Sequence, residues 1–220
     1  MLRSGGNLPM PTIEDVRQAH EWFEEYEPRA LFYRAATELL RLAVEEDQKS
    51  PLSSAEAVAV LLRTWNEAFY RFKKKTFNKD HLAAIEGLLA DHKPMLEGFR
   101  QRSIGTLRDD DAPAVKSMFG KFEAELGTVG AAKCLHLLAP SFFPLWDRAI
   151  AERGYGFALT KAGENAENYW KFMNFTGEQC QRLGCELGPN PLKALDEYNY
   201  WKYSRRDSSA SAAGREANAP

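Results

Sequence analysis

Leu126-Gly127-Thr128-Val129-Gly130-Ala131-Ala132-Lys133-Cys134-Leu135-His136-Leu137-Leu138-Ala139-Pro140-Ser141-Phe142-Phe143-Pro144-Leu145-Trp146-Asp147-Arg148-Ala149-Ile150 is the densest stretch of this chain. It reads as the end of one helix, a tight glycine turn over 127–130, and a short apolar helix to Leu138. A loop bracketed by Pro140 and Pro144 follows, then an acid. Glycines at a turn beside a helix N-terminus let backbone N–H groups point outward, where they and the helix dipole suit a phosphate. The same glycines also serve simply to stop a helix. Lys133 falls in the first turn of the second helix, where a cation opposes the dipole. That conflict lowers the pKa of an amine, which favours a nucleophile; a lysine there also reaches solvent from a helix face. His136 lies one turn further along, on the same face, and equally suits a hydrogen-bonded core position. Asp147 ends a very apolar run. It reads as a helix N-cap for Arg148-Ala149-Ile150, and a carboxylate beside aromatics also suits a functional group in a dry pocket.

Working outward, the rest of the chain reads as helix after helix. Residues 1–11 carry Gly5, Gly6, Pro9 and Pro11 and form an expected flexible tail. Thr12 with Asp15 is a relative of the capping box and opens a helix to about Glu27. Leu31, Ala35, Leu39, Leu42 and Ala43 recur at helical spacing, which predicts a helix over 29–48. Ser53 with Glu56 is a capping box opening a long helix whose stripe of Val58, Leu61, Leu62, Trp65, Phe69 and Phe72 runs to the cations Arg71, Lys73, Lys74 and Lys75. Asn78 caps a helix to Leu89, and Pro94 predicts a break before a segment to about Arg102. Pro113 after Asp109-Asp110-Asp111 starts a helix over 112–126. Further helices are expected over 147–153, 164–183 and 192–204, and Ser, Ala, Gly and Asn dominate an expected disordered tail over 206–220. No segment shows strand alternation. The prediction is a single all-helical domain over 12–205, an irregular bundle of eight to ten helices with the hairpin and aspartate segment at 112–156.

Length and composition bound the function classes. At 220 residues, one average-to-large domain is expected. With 44% hydrophobic and 12% aromatic residues the chain can fill a core, so disorder throughout is excluded. No apolar run approaches the ~18 residues of a membrane span. There is no secretion-signal pattern, and the 3 cysteines are too few for a disulfide framework, so a cytoplasmic setting without a membrane is expected. The net charge of -2 argues against a protein held to nucleic acid by bulk charge, but leaves room for a local basic patch. Glycine-rich phosphate loops, paired zinc histidines and an iron–sulfur cysteine set are all absent, so no metal or cofactor is expected.

The 126–150 stretch resembles the helix-hairpin-helix DNA glycosylase superfamily. Its signature runs roughly Leu-Pro-Gly-Val-Gly, then a helix, then an aspartate after a proline–valine or valine. Leu126-Gly127-Thr128-Val129-Gly130 is similar to the hairpin, and Phe143-Pro144-Leu145-Trp146-Asp147-Arg148-Ala149-Ile150 to the aspartate segment. The resemblance implies an all-helical glycosylase that flips a damaged or modified base out of double-stranded DNA. The amides of Gly127, Thr128, Val129 and Gly130 would hold the DNA backbone, with a monovalent cation at the hairpin. Lys73, Lys74, Lys75 and Arg148 would meet phosphates. Asp147 would stabilise the sugar cation and activate water, and Lys133, if it enters the same pocket, would add lyase chemistry. His136, Phe142, Phe143, Trp146, Tyr155, Trp170, Tyr198 and Asn199 are the candidates for the base pocket. No obligate protein partner is implied. Two other outcomes stay open on the residues alone: a non-catalytic helix-hairpin-helix DNA-binding module, and a helical protein-interaction domain.

Overall fold

The computed structural model describes residues 10–45, 52–72, 76–160 and 163–205. Over these residues the chain is all-helical, in the order α1 (Ile13–Tyr26), α2 (Ala30–Glu45), α3 (Ser54–Trp65), α4 (Glu67–Phe72), α5 (Lys79–Arg100), α6 (Ala112–Leu138), α7 (Asn165–Leu183) and α8 (Pro191–Asn199). Single turns at Ile104–Thr106, Asp109–Asp111, Ile150–Gly154, Gly184–Leu187 and Tyr200–Ser204 join or extend them. The expected tails, 1–9 and 206–220, and the lysine run Lys73–Lys75 lie outside the described residues.

The caps are those the sequence encodes. Thr12 and Asp15 exchange backbone hydrogen bonds at the head of α1, and Ser53 and Glu56 do so at the head of α3. Each box satisfies two donors that a helix N-terminus would otherwise leave orphaned. Asn78 accepts from the His81 amide at 3.0 Å to start α5, and Asn190 accepts from the Lys193 amide at 3.1 Å to start α8 behind Pro191.

Three local expectations are corrected. The helix expected from Ser53 into the lysine run breaks at Asn66, which leaves helical geometry at φ -126°, ψ 25° and turns its side-chain amide onto the Leu126 carbonyl, 3.1 Å away. A long-range hydrogen bond therefore overrides an unbroken apolar stripe. Conversely, Pro94 does not break α5, which runs on to Arg100. Pro94 is on the exposed side, where water can serve the carbonyl its ring leaves without a donor. Finally, the four-residue turn at 127–130 is a one-residue kink. Gly127 alone departs from helical geometry, at φ 72°, ψ 165°, and residues 128–130 are helical. A Cβ at Gly127 would lie 2.7 Å from the Phe69 ring, and one at Gly130 would lie 2.6 Å from the Asn66 amide. Gly130 is thus a contact glycine, whereas Gly127 sets the backbone direction.

The main core surrounds α6. Phe119, Phe122, Phe142, Phe143, Trp146, Tyr169 and Phe172 are almost wholly buried in it. Burying each such ring stabilises by roughly 1.5–3 kcal/mol, and edge-to-face pairs such as Trp146–Tyr169, 5.1 Å apart, add about 0.5–1.5 kcal/mol. A smaller cluster of Val16, Ala19, Leu187, Leu195 and Tyr198 joins α1 to α8. Among the described residues no buried side-chain nitrogen or oxygen lacks a partner. Nor is any described helix long and apolar enough to cross a membrane.

Candidate functional site

α1, α3, α6, α8 and the loop before Asp147 enclose a small cavity with about 40 Å³ of space for water-sized solutes. Its lining is Phe23, Glu27, Arg29, Trp65, Lys133, Trp146, Asp147, Asp196 and Tyr200. Four aromatic and five charged side chains form its walls, so polar groups converge on a space smaller than the usual small-molecule site.

Lys133 reaches this cavity because the Gly127 kink redirects the second half of α6. Its ammonium donates to the carbonyl of Trp65 and sits 5.7 Å from the centre of the Trp65 ring. That carbonyl is in the last turn of α3, where the dipole is negative, so the contact also closes a helix end. Burial lowers the amine, the carboxylates of Asp147 and Asp196 partly offset this, and the Arg29 cation lowers it again. The net value is about 8, against 10.5 for an ordinary lysine.

Asp147 is anchored at both oxygens. One accepts from the Ile150 amide at 2.8 Å, as an N-cap does, and the other accepts from the Ser204 hydroxyl at 2.7 Å. The helix it caps winds wide over Ile150–Gly154, and Ser204 closes a second wide turn, Tyr200–Ser204. Single wide turns of this kind recur at functional sites.

The remaining polar groups are arranged in pairs. Burial raises Glu27, but hydrogen bonds from Arg29 and Tyr200 outweigh it and hold the carboxyl at about 2. Arg29 grips Glu27 with two bonds of 2.7 Å and also donates to the Tyr200 hydroxyl. Asp196 is buried, and burial raises it to about 6, with Lys193 and Lys133 lowering it and Glu197 and Asp147 raising it.

Of the residues expected from sequence, Lys133, Asp147 and Trp146 line the cavity. The others do not. His136 is fully buried, Nδ1 donating to the Phe143 carbonyl at 2.7 Å and Nε2 accepting from the Tyr33 hydroxyl at 2.8 Å. Burial holds it neutral with a pKa near 3. It is a structural crossbrace rather than a base-pocket group. Phe142 and Phe143 are fully buried against Phe99. Tyr155 is buried and donates to Gln179 and Asn199, which places Asn199 in the core with it. Trp170 and Tyr198 are buried too. Their aromatic or mixed character marked them for a pocket, but packing uses them. Arg148 is exposed and paired with Glu152. At the kink, the Leu126 carbonyl accepts from Asn66, and the Thr128 carbonyl accepts from the Trp146 indole at 3.4 Å. A monovalent cation there would compete with both donors. Among the described residues no cluster of three His, Cys, Asp or Glu side chains has metal-binding geometry.

Sequence reasoning missed Phe23, Glu27, Arg29, Trp65, Asp196 and Tyr200. They come from segments far from 126–150 and converge only through the α1–α8 and α3–α6 packing. One signal was present: Asp196-Glu197 in the middle of the last helix, where two adjacent acids cannot both reach solvent from a packed element. Comparison with family models, with curated proteins and with solved structures finds no match to this chain.

Proposed function

We propose that the chain is a DNA glycosylase-like enzyme in which Lys133 and Asp147 act together on a flipped-out nucleotide. One observation carries this reading. An amine with a lowered pKa and a doubly anchored carboxylate line the same aromatic-walled cavity. A nucleophile with a lowered pKa beside a preorganised charge is the pairing that covalent catalysis at a sugar carbon requires. The neutral Lys133 amine forms a bond to C1′ as the C1′–N glycosidic bond breaks, and the bond's electron pair leaves with the base. The Asp147 carboxylate stabilises the positive charge that builds on the sugar. Trp65 and Tyr200, lining the cavity with Trp146, provide flat surfaces against which a base can stack. Because Lys133 enters the cavity, the reading extends to lyase-type chemistry rather than hydrolysis alone.

The test uses duplex oligonucleotides carrying an abasic site or one of a panel of deaminated, alkylated and hypermodified bases, with cyanoborohydride present. The wild type is expected to give a covalent protein–DNA adduct, and Lys133→Ala none. Wild-type protein that yields neither adduct nor released base across the panel would sink the reading.

A further inference from the structure

The loop that joins α5 to α6 forms, with the chain just beyond α6, a second concavity that the cavity chemistry does not use. It is an open cleft of about 750 Å³, within the size range of ligand sites. Arg100, Arg102 and Arg108 line it with Ser103, Thr106 and Ser141, and no acidic side chain does. We propose that this cleft binds phosphate groups, with Arg100 and Arg108 as its charged donors. The proposal goes beyond the glycosylase reading and does not rest on it.

The three arginines divide into one brace and two open forks. Arg102 is the brace. Its guanidinium donates to both Asp111 oxygens, at 2.8 and 2.7 Å, to the Thr106 carbonyl at 2.7 Å and to the Thr106 hydroxyl at 3.3 Å. Its central carbon lies over the Phe142 ring, 4.8 Å from the centre. The Thr106 hydroxyl donates in turn to the Ser103 carbonyl at 2.8 Å, and the Ile104 amide donates to the Ser141 carbonyl at 2.8 Å. The loop is thus fixed on the core by its own bonds, so a ligand meets a wall that is already in place and little ordering is left to oppose binding.

Arg100 and Arg108 are placed differently. Arg100 is half-buried and Arg108 is exposed. Among the described residues neither guanidinium has an ion pair or a hydrogen bond, and neither do the Ser103 and Ser141 hydroxyls have a partner. The nearby acids leave this charge uncancelled. Asp111 is held by Arg102 and also accepts from the Arg108 amide at 2.9 Å, so both its oxygens are engaged by the loop. Asp109 and Asp110 are exposed on the turn into α6 and line no part of the cleft.

The lining therefore offers hydrogen-bond donors and unneutralised positive charge. A guanidinium carries five N–H donors and no acceptor, and its planar fork matches two oxygens of one phosphate. A cleft of this volume is larger than a single small anion, so linked phosphates fill it best. Two sources share that chemistry: a free polyphosphate compound and the backbone of a DNA strand.

The experiment titrates tripolyphosphate calorimetrically, and a labelled unmodified DNA duplex by fluorescence anisotropy, at low salt. The proteins are wild type, Arg100→Gln, Arg108→Gln, the double variant, Arg17→Gln and Lys133→Ala, with circular dichroism on each. Arg17→Gln removes the same charge from the exposed side of α1. Wild type is expected to bind tripolyphosphate, each cleft variant to weaken it about tenfold, and the double variant to lose it, while Arg17→Gln and Lys133→Ala stay within about twofold. Displacement of tripolyphosphate by the duplex, with a salt slope that falls by about one for each arginine removed, assigns the cleft to a DNA backbone. Tripolyphosphate that excess duplex does not displace assigns it to a free polyphosphate. Absence of binding to either probe, or binding that the folded double variant retains, overturns the proposal. None of these outcomes bears on the cavity, whose reading stands or falls with the Lys133 adduct.

Discussion

Replacing Lys133 with methionine is expected to stabilise the fold, and the size of the gain follows from the amine. In the unfolded chain Lys133 protonates near 10.5, and in the native cavity only near 8. Between those values the unfolded state binds more protons, so this group's contribution to stability rises with pH, and below 8 the full penalty is present. At 1.36 kcal/mol per pH unit the fall corresponds to about 3 kcal/mol as an upper bound. Lys133 keeps some contact with solvent, so about half of that is the expected share. Methionine also abandons the Trp65 carbonyl, a pH-independent loss of about 1 kcal/mol. The net gain at pH 7 is then about 0.5–2 kcal/mol, or about 2–6 °C in Tm for a chain of this length. The sharper readout is urea unfolding of both proteins from pH 7 to 10.5, followed by tryptophan fluorescence. The advantage of Lys133→Met should be constant to pH 8, shrink between 8 and 10.5, and end as a deficit of about 1 kcal/mol once only the lost Trp65 bond remains. A difference that stays flat across that interval refutes the claim that the native amine has a lowered pKa.

Four further outcomes can be checked. Gly127→Ala must adopt φ 72° with a Cβ 2.7 Å from Phe69, so it should lose about 2 kcal/mol or more, whereas Gly87→Ala, in an exposed and open part of α5, should gain about 0.5–1 kcal/mol. His136→Phe should lose about 2–4 kcal/mol in chemical denaturation, because the Tyr33 hydroxyl and the Phe143 carbonyl lose their partner. The native imidazole resists protonation, so His136 should make the wild type lose stability as pH falls from 6.5 towards 3, a slope that His136→Phe flattens. Asp147→Asn should keep its N-cap and melt within a few degrees of wild type while excision falls about a hundredfold or more; Ser204→Ala, which frees one carboxylate oxygen, should slow excision by about tenfold or less at unchanged Tm.

Much of the fold was legible because helix ends are written locally. Thr12, Ser53 and Asn78 each announce a helix within a few residues of where it begins. One error arose where a distant partner decided the outcome, and another, at Pro94, where exposure let water take the place of a helix bond. Asn66 breaks a stripe that is unbroken by pattern, because its amide bonds to Leu126 across the core. For the site, Lys133 and Asp147 were legible as a residue type at odds with its surroundings: a cation at a helix start and an acid after an aromatic run. Glu27 and Arg29 were not, since each looks like an ordinary surface charge until tertiary packing brings it to the cavity, and Asp196 showed only through its adjacent acid Glu197. Most of the aromatic candidates lie in the core instead. Phe142, Phe143 and Tyr198 have the chemistry of base stacking, but large rings most often fill cores.

The two wide turns have a consequence for how the site is indexed along the chain. A wide turn holds one residue more than an ordinary helical turn, and each residue advances a helix by about 100°. Ile150–Gly154 and Tyr200–Ser204 therefore act as phase shifters: each rotates the chain on its C-terminal side relative to the chain on its N-terminal side. Ser204 meets Asp147 only with the second shift in place. Deleting one residue from Trp201–Tyr203 would restore ordinary helical phase without removing any side chain that lines the cavity. Asp147 would then keep its N-cap through one oxygen and lose the partner of the other.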